Sequence, residues 1–283
     1  MDIRSEVAQI LNLPVADIET LGGGCISDVY LVRLSDGTEV VAKVDDQGLS
    51  GLAVEGRMLN FLSDQTTLPV PAVLHCSEHL LILEYIEAES RFTIGAEYHA
   101  AELLANLHVM TSASFGFEYD TRIGGLHQPN PFYPSWIAFF REQRLFYMAR
   151  LAVNAGRLPG HTLQRIERFG AHLERWLAEP DTPSLIHGDV WTTNVLSRGD
   201  RIYAFLDPAI YFAHAEIELA FISLFNTFGR SFFQRYHEHR TIAPGFFEER
   251  RDIYNLYPLL VHVRLFGGSY VSAVERTLSR FGF

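Results

Sequence analysis

An apolar run delivers His187-Gly188-Asp189, Asn194 follows five residues after that Asp, and Asp207 arrives where the next apolar run ends. For these groups to act together, the fold must bring the side chains of Asp189, Asn194 and Asp207 to one place. The groups so gathered are those that phosphoryl transfer from a nucleoside triphosphate needs. One carboxylate orients the attacking hydroxyl and accepts its proton, while an amide oxygen and a second carboxylate hold a divalent cation against the phosphates. Asp189 is read as the base, and Asn194 and Asp207 as Mg²⁺ ligands. The bare spacing Asp-x4-Asn is common; the His-Gly before it, the apolar strand after it and the Asp at the next strand's end make it specific.

That spacing matches a kinase catalytic loop with His-Gly-Asp in place of His-Arg-Asp. The first third of the chain carries what an ATP site would add. Gly22-Gly23-Gly24 precedes a strand. Glycines let backbone approach a phosphate, and successive amides form an anion-binding nest, to which Ser27 could add a hydroxyl. Lys43 sits in Val-Val-Ala-Lys-Val, where an ammonium must snorkel out or find an anion. Glu55, twelve residues on and early in an amphipathic helix, is its expected ion-pair partner. Glu84-Tyr85-Ile86 ends a strand where the composition shifts, the place for a hinge whose backbone bonds adenine.

The 283 residues suffice for two lobes, and 48% hydrophobic with 20% charged residues can build a sizeable core. The net charge of −11 argues against a nucleic-acid partner, for which a basic face is expected. Two cysteines, Cys25 and Cys76, make no disulfide framework, so a cytoplasmic, reducing setting is expected. The amino-terminal residues lack a signal-peptide pattern, and no apolar run has the ~18 residues of a membrane span. The chain is taken as a monomer or weak dimer.

Periodicity predicts a helix over 2–12, a hairpin of 29–34 and 39–44 turning at Asp36-Gly37, a helix over 50–63, and strands over 72–76 and 80–85. Beyond Ile86, helices are expected over 94–111, 135–155, 161–178, 215–228, 246–265 and 268–281, with a Gly- and Pro-rich loop over 124–134. The fold class is therefore α+β and two-lobed: a small β-rich lobe, residues 1–87, and a larger, mainly helical lobe, residues 88–283.

Other residues carry open readings. His187 is read as a brace for the loop; a transition-metal site of His187, Asp189, Asp207 and His214 is the rival, but it leaves Asn194, Lys43 and the glycines unexplained. His214 and Glu216 open a helix soon after Asp207 and are candidate substrate contacts; alternatively two acids there suit the helix dipole, or one Glu braces the catalytic loop from below. Gln128 and Asn130 offer amides suited to sugar hydroxyls. The aromatics after them (Trp136, Phe139, Phe140) read as core, and Trp191, inside the catalytic loop, as a substrate contact. Cys25, in the phosphate loop, is a candidate redox-sensitive thiol.

Six segments together resemble the fructosamine kinase (ketosamine-3-kinase) family, within the wider aminoglycoside-phosphotransferase-like kinases of protein-kinase-like fold. They are Gly-Gly-Gly-Cys-Ile-Ser (22–27), Gln-Pro-Asn (128–130), His-Gly-Asp-Val-Trp-x-x-Asn (187–194), Asp-Pro-Ala (207–209), His-Ala-Glu-Ile-Glu-Leu-Ala (214–220) and Leu-Phe-Gly-Gly-Ser-Tyr (265–270). The resemblance implies ATP- and Mg²⁺-dependent phosphorylation of the 3-hydroxyl of a ketosamine, a sugar joined to an amine by glycation, with an unstable product that frees the amine. It places Asp189 as base, Asn194 and Asp207 on the metal, Lys43 on the phosphates and Glu84 to Ile86 at the hinge. A kinase of an aminoglycoside, choline or plain sugar, and a nucleotide-binding pseudokinase, are the alternatives. The chain departs from the family in a short stretch between Asp45 and Gly51. It departs again at Arg264, where an uncharged amide is expected in Leu-x-His-x-x-Leu-Phe-Gly.

Overall fold

The computed structural model describes residues 2–22, 27–45 and 51–283. Gly23, Gly24 and Cys25 of the glycine turn lie outside the described residues, as does most of the short stretch after Asp45.

The first third is a five-stranded antiparallel sheet in the order β1-β2-β3-β5-β4: β1 (Val15–Thr20), β2 (Asp28–Leu34), β3 (Glu39–Val44), β4 (Val73–Cys76) and β5 (Leu80–Glu84). The β2–β3 turn forms at Asp36-Gly37, where Gly37 takes φ +87° and Asp36 accepts the Thr38 amide at 2.9 Å. β5 lies between β3 and β4, and its Leu-Leu-Ile-Leu alternates between two covered faces. Leu80 and Ile82 pack with Val32, Val40 and Ala42 beneath Val7 of α1 (Ile3–Leu11), whereas Leu81 and Leu83 pack against Leu52 and Leu59 of α2 (Leu52–Gln65). A strand buried on both faces reads as a continuous apolar run.

Helices take over at α3 (Ile94–Leu107), capped by Thr93, whose hydroxyl accepts the Ala96 amide. The stretch 135–155 is broken into α4 (Trp136–Phe139), a π-helical segment (Phe140–Phe146) and α5 (Tyr147–Asn154), followed by α6 (Gly160–Gly170). After the catalytic segment come α7 (Glu216–Leu224), α8 (Arg230–His239), a second π-helical turn (Phe246–Arg250), α9 (Arg251–Tyr254), α10 (Leu256–Phe266) and α11 (Ser269–Arg280). One large core, including Trp136, Phe139, Phe140 and Tyr254, joins these helices.

Three features depart from the sequence expectations. β1 is an additional edge strand, and α8 an additional helix packed on α3. The expected loop over 124–134 begins as the second half of a hairpin, β6 (Thr121–Ile123) and β7 (Leu126–Gln128), turned by Gly124 and Gly125 at positive φ. This hairpin reaches back to the sheet lobe. Gly51, which caps α2, lies against the Arg122 side chain, and its φ of +75° favours glycine there.

Candidate active site

Two antiparallel strand pairs build the floor of the site. β8 (Ser184–Ile186) pairs with β11 (Tyr211–Ala213), and β9 (Val195–Arg198) pairs with β10 (Arg201–Phe205). The loop from β8 to β9 therefore lies beside the loop from β10 to β11. The two are zipped together: the Leu206 amide donates to Asn194 O, and the Ala209 amide to His187 O, both at 2.8 Å. Asp189, Asn194 and Asp207 are thereby brought to one end of a cleft of about 720 Å³ between sheet and helices.

Local conformation explains the residue types. Gly188 has φ +87°, and a Cβ there would come within 2.3 Å of Ala209 O. The His-Gly-Asp form thus follows from how closely the two loops approach. Asp207 is one of three non-glycine residues with positive φ among those described (φ 52°), a conformation Asp tolerates. Asn194 donates through Nδ2 to Asp189 Oδ2 at 3.0 Å and to Asp189 O at 3.1 Å. No hydrogen bond within the described residues occupies its Oδ1, the atom a hard cation takes. Burial, and after it the nearby Asp207 carboxylate, push the Asp189 carboxyl well above the usual carboxylate range.

Above this floor, Lys43 Nζ lies 2.7 Å from Glu55 Oε1 and also forms an ion pair with Asp207. The strand ammonium thus joins α2 to the loop that carries Asp207. Gly22, Ser27 and Glu84, Tyr85 and Ile86 line the same cleft, with Leu21, Val29 and Leu83 on its apolar side.

Beneath the catalytic loop sits Glu218, buried in α7. Its Oε1 accepts the Gly188 amide at 2.6 Å, and its Oε2 accepts the His187 amide at 3.3 Å and a hydrogen bond from His108 Nε2 at 2.8 Å. Tyr236 OH lies 2.6 Å from the other ring nitrogen of His108. These bonds, led by the one from His108, hold the Glu218 carboxyl below its ordinary range despite burial. His187 is fully buried, its Nδ1 accepts the Asp189 amide at 3.3 Å, and burial holds its ring below the usual histidine range. Among the described residues no group of three His, Cys, Asp or Glu side chains could hold a metal, so the rival site of His187, Asp189, Asp207 and His214 does not form.

Four residues expected to meet substrate face elsewhere. Gln128 and Asn130 are each 1% exposed. Gln128 Nε2 donates to Thr121 Oγ1 and to Ala209 O, and its Oε1 accepts from Tyr257 OH at 2.6 Å. Asn130 Oδ1 accepts from Arg144 Nη2 at 2.6 Å, and its Nδ2 donates to Thr121 Oγ1 at 2.8 Å. Their amides tie the β6–β7 hairpin to the Asp207 loop and to α10, because buried amides must find partners. His214 packs against the rings of Trp136 and Tyr254, and Glu216 takes both Arg250 nitrogens at 2.7 Å. Trp191 does line the cleft, as do Phe221, Tyr257 and His262, and Arg264 is absent from the cleft wall. His262 stood in plain view within the Leu-x-His-x-x-Leu-Phe-Gly segment; Tyr257 and Phe221 carried no sequence signal beyond helical spacing.

A family model described as fructosamine kinase matches residues 3–281. A Vibrio parahaemolyticus protein named as a probable ketoamine kinase is 32% identical over 266 residues, 92% of this chain and 90% of that one. The chloroplastic protein-ribulosamine 3-kinase of Arabidopsis thaliana is 32% identical over 274 residues, 92% of this chain and 80% of that one. The crystal structure of a Thermobifida fusca protein provisionally named fructosamine-3-kinase superposes with a TM-score of 0.86 at 30% identity, covering 99% of both chains.

Proposed function

The chain belongs to the fructosamine kinase family, and from that premise we propose that it transfers the γ-phosphoryl group of ATP to the 3-hydroxyl of a ketosamine, a step that promotes deglycation. It is an ATP-dependent phosphotransferase with a two-lobed, protein-kinase-like fold. The observation that carries the reading is the zipper between the loops 187–194 and 206–210, which puts Asp189, Asn194 and Asp207 under Lys43 at one end of the cleft.

In this reading Asp189 orients the sugar hydroxyl and accepts its proton; burial and the nearby Asp207 raise its affinity for a proton above that of an ordinary carboxylate, which suits a base. Lys43, held by Glu55, meets the phosphates, with Gly22 and Ser27 beside them and the backbone of Glu84 to Ile86 at the adenine. Asn194 Oδ1 and the Asp207 carboxylate are an all-oxygen pair, the donor set Mg²⁺ uses when phosphates and water complete its shell. Bound there, the ion would neutralise charge developing on the phosphoryl oxygens. Asp207 would then exchange part of its bond to Lys43 for the ion. Glu218 keeps the catalytic loop in register, so catalysis rests on positioning and electrostatics. No helix among the described residues is long and apolar enough to cross a membrane. We take the enzyme as a cytoplasmic monomer or weak dimer acting on small molecules.

The test is ATP consumption across ribulosamines, fructosamines, unmodified sugars and aminoglycosides, with Asp189→Asn as control. Turnover is expected on ketosamines and is expected to fall on the order of 10²-fold or more in the variant, the usual worth of a general base. Turnover confined to compounds that are not glycated amines would overturn the assignment.

A further inference from the structure

Beyond Asp189 the acceptor end of the cleft changes character. Trp191, two residues past the base, starts a run of rings toward the outside. Phe225 lies 6.0 Å from Trp191 and 5.0 Å from His262 between ring centroids. His262 in turn lies 5.6 Å from Phe266 and 4.9 Å from Tyr270. Trp191, His262 and Phe266 face the cleft, while Phe225 and Tyr270 back them. Phe266 at the outer end is 51% exposed, a large ring left in water at the mouth of the site. Its place is fixed by the chain: α10 ends at Phe266, and Gly267 and Gly268 both take positive φ to turn into α11.

The rings of the wall themselves carry no charge. The charged residues lining the cleft are Lys43, Glu55, Glu84, Arg122, Asp189, Asp207 and Glu218, which sit on the sheet lobe, the β6–β7 hairpin and the catalytic floor. His262 Nδ1 lies 2.8 Å from Pro258 O and donates to it, which leaves Nε2 as an acceptor on a neutral ring; burial favours that form. A polyol needs many polar partners, and those converge around Asp189 and not along this wall. A ketosamine has two ends: a sugar, whose hydroxyl must reach Asp189, and the group borne on its nitrogen, which must lead away. With the sugar at the base, that group passes over the rings.

We propose that the wall from Trp191 to Phe266 holds the group attached to the ketosamine nitrogen, and that it selects adducts of apolar, ring-bearing amines over adducts of anionic or small polar ones. This rests on the ketosamine reading above. Aromatic faces accept an apolar ring by edge or offset stacking and favour the cationic amine beside it. They offer an anionic carrier nothing, and a carboxylate set against them would lose water without gaining a partner.

The experiment compares kcat/KM for three fructosamines made from 2-phenylethylamine, ethanolamine and β-alanine, using the full chain with saturating MgATP. The phenylethylamine adduct is expected to exceed the other two by about tenfold or more, the scale on which an apolar side group contributes to discrimination. In Phe266→Ala the ratio is expected to shrink to within about threefold, and in Phe266→Tyr, which keeps the ring, to persist. The ratio is read because any shared loss of folding or turnover cancels in it. Equal kcat/KM on all three adducts overturns the proposal and leaves the ketosamine reading standing, as does a ratio that Phe266→Ala leaves untouched. Absence of turnover on all three, with phosphoryl transfer to some other acceptor, removes both.

Discussion

Glu218 accepts the backbone amide of Gly188 at 2.6 Å, one residue before Asp189, from a helix 30 positions further along the chain. Its second oxygen is shared between the His187 amide and the His108 ring. A buried carboxylate with three donors is fully satisfied and ionised. The loop that carries Asp189 is thus held from below by α7, and through His108 and Tyr236 by α3 and α8.

Glu218→Gln keeps the shape but replaces an acceptor oxygen with an NH₂ group, which must face another donor. An unsatisfied buried group costs about 1–3 kcal/mol, and small displacements of a reacting group are expensive in rate. We expect kcat to fall roughly tenfold to a hundredfold, with KM for ATP little changed because Lys43 and the hinge are untouched. Steady-state kinetics in both substrates checks this; a kcat within twofold of wild type would remove Glu218 as a positioning residue.

Gly188→Ala attacks the same loop from the other side. The added methyl would meet Ala209 O, and the backbone would keep a left-handed φ that alanine disfavours. Either the catalytic loop or the Asp207 loop must move. Loss of about 2 kcal/mol or more in denaturant unfolding is expected, with activity falling further than stability accounts for. A fully active, equally stable variant would show that the close approach of the two loops is dispensable.

The residues proposed to do the chemistry, Asp189, Asn194 and Asp207, stand out in the sequence because their types and spacing are those that a cation and phosphates would require. What holds them was less legible. Glu218 and Glu216 look alike in sequence, two acids in one helical turn, and only the third dimension gives one to Gly188 and the other to Arg250. Gln128 and Asn130 announced hydrogen bonding without naming a partner, and their partners, Tyr257 and Arg144, lie on helices α10 and α5's π-helical approach. In the fold, β5 was plain because both of its faces are covered. β1 was hidden because an edge strand with Asp17 and Glu19 facing water lacks an apolar run, and α8 because only Phe232 and Tyr236, one turn apart, are buried.

Lys43 is proposed to meet the nucleotide as well as pair with Glu55, and a double variant separates the two roles. Lys43→Met leaves Glu55, which is 17% exposed, without its cation. The expected loss is about 2 kcal/mol, below the figure for a fully buried pair because Asp207 is 48% exposed. Adding Glu55→Met removes the stranded carboxylate and is expected to restore most of that stability, while phosphoryl transfer stays on the order of 10²-fold down in both variants. Unfolding midpoints and single-turnover rates decide it; recovery of activity in the double variant would show that Lys43 acts only as a structural ion.

His214 provides a pH dependence of stability whose sign is fixed. Burial, set against Glu216 and with Arg250 and Arg240 nearby, lowers its pKa from 6.5 to about 4. Above pH 6.5 folded and unfolded chains both hold it neutral, and it contributes no slope. As pH falls below 6.5 the unfolded chain takes a proton that the folded chain refuses, so stability declines until about pH 4. At pH 5 the deficit is about 2 kcal/mol, from 1.36 kcal/mol per unit of separation. His214→Asn keeps an acceptor for the Glu216 amide, which His214 Nδ1 now accepts at 3.1 Å, but it has no proton to gain. Urea unfolding at pH 7.5 and at pH 5.0 is expected to show a smaller acid loss in the variant by roughly that amount. His187 and His262, also held neutral by burial, remain in both proteins and cancel in the difference. Identical acid losses in the two proteins would mean that His214 exchanges its proton as freely when folded as when unfolded.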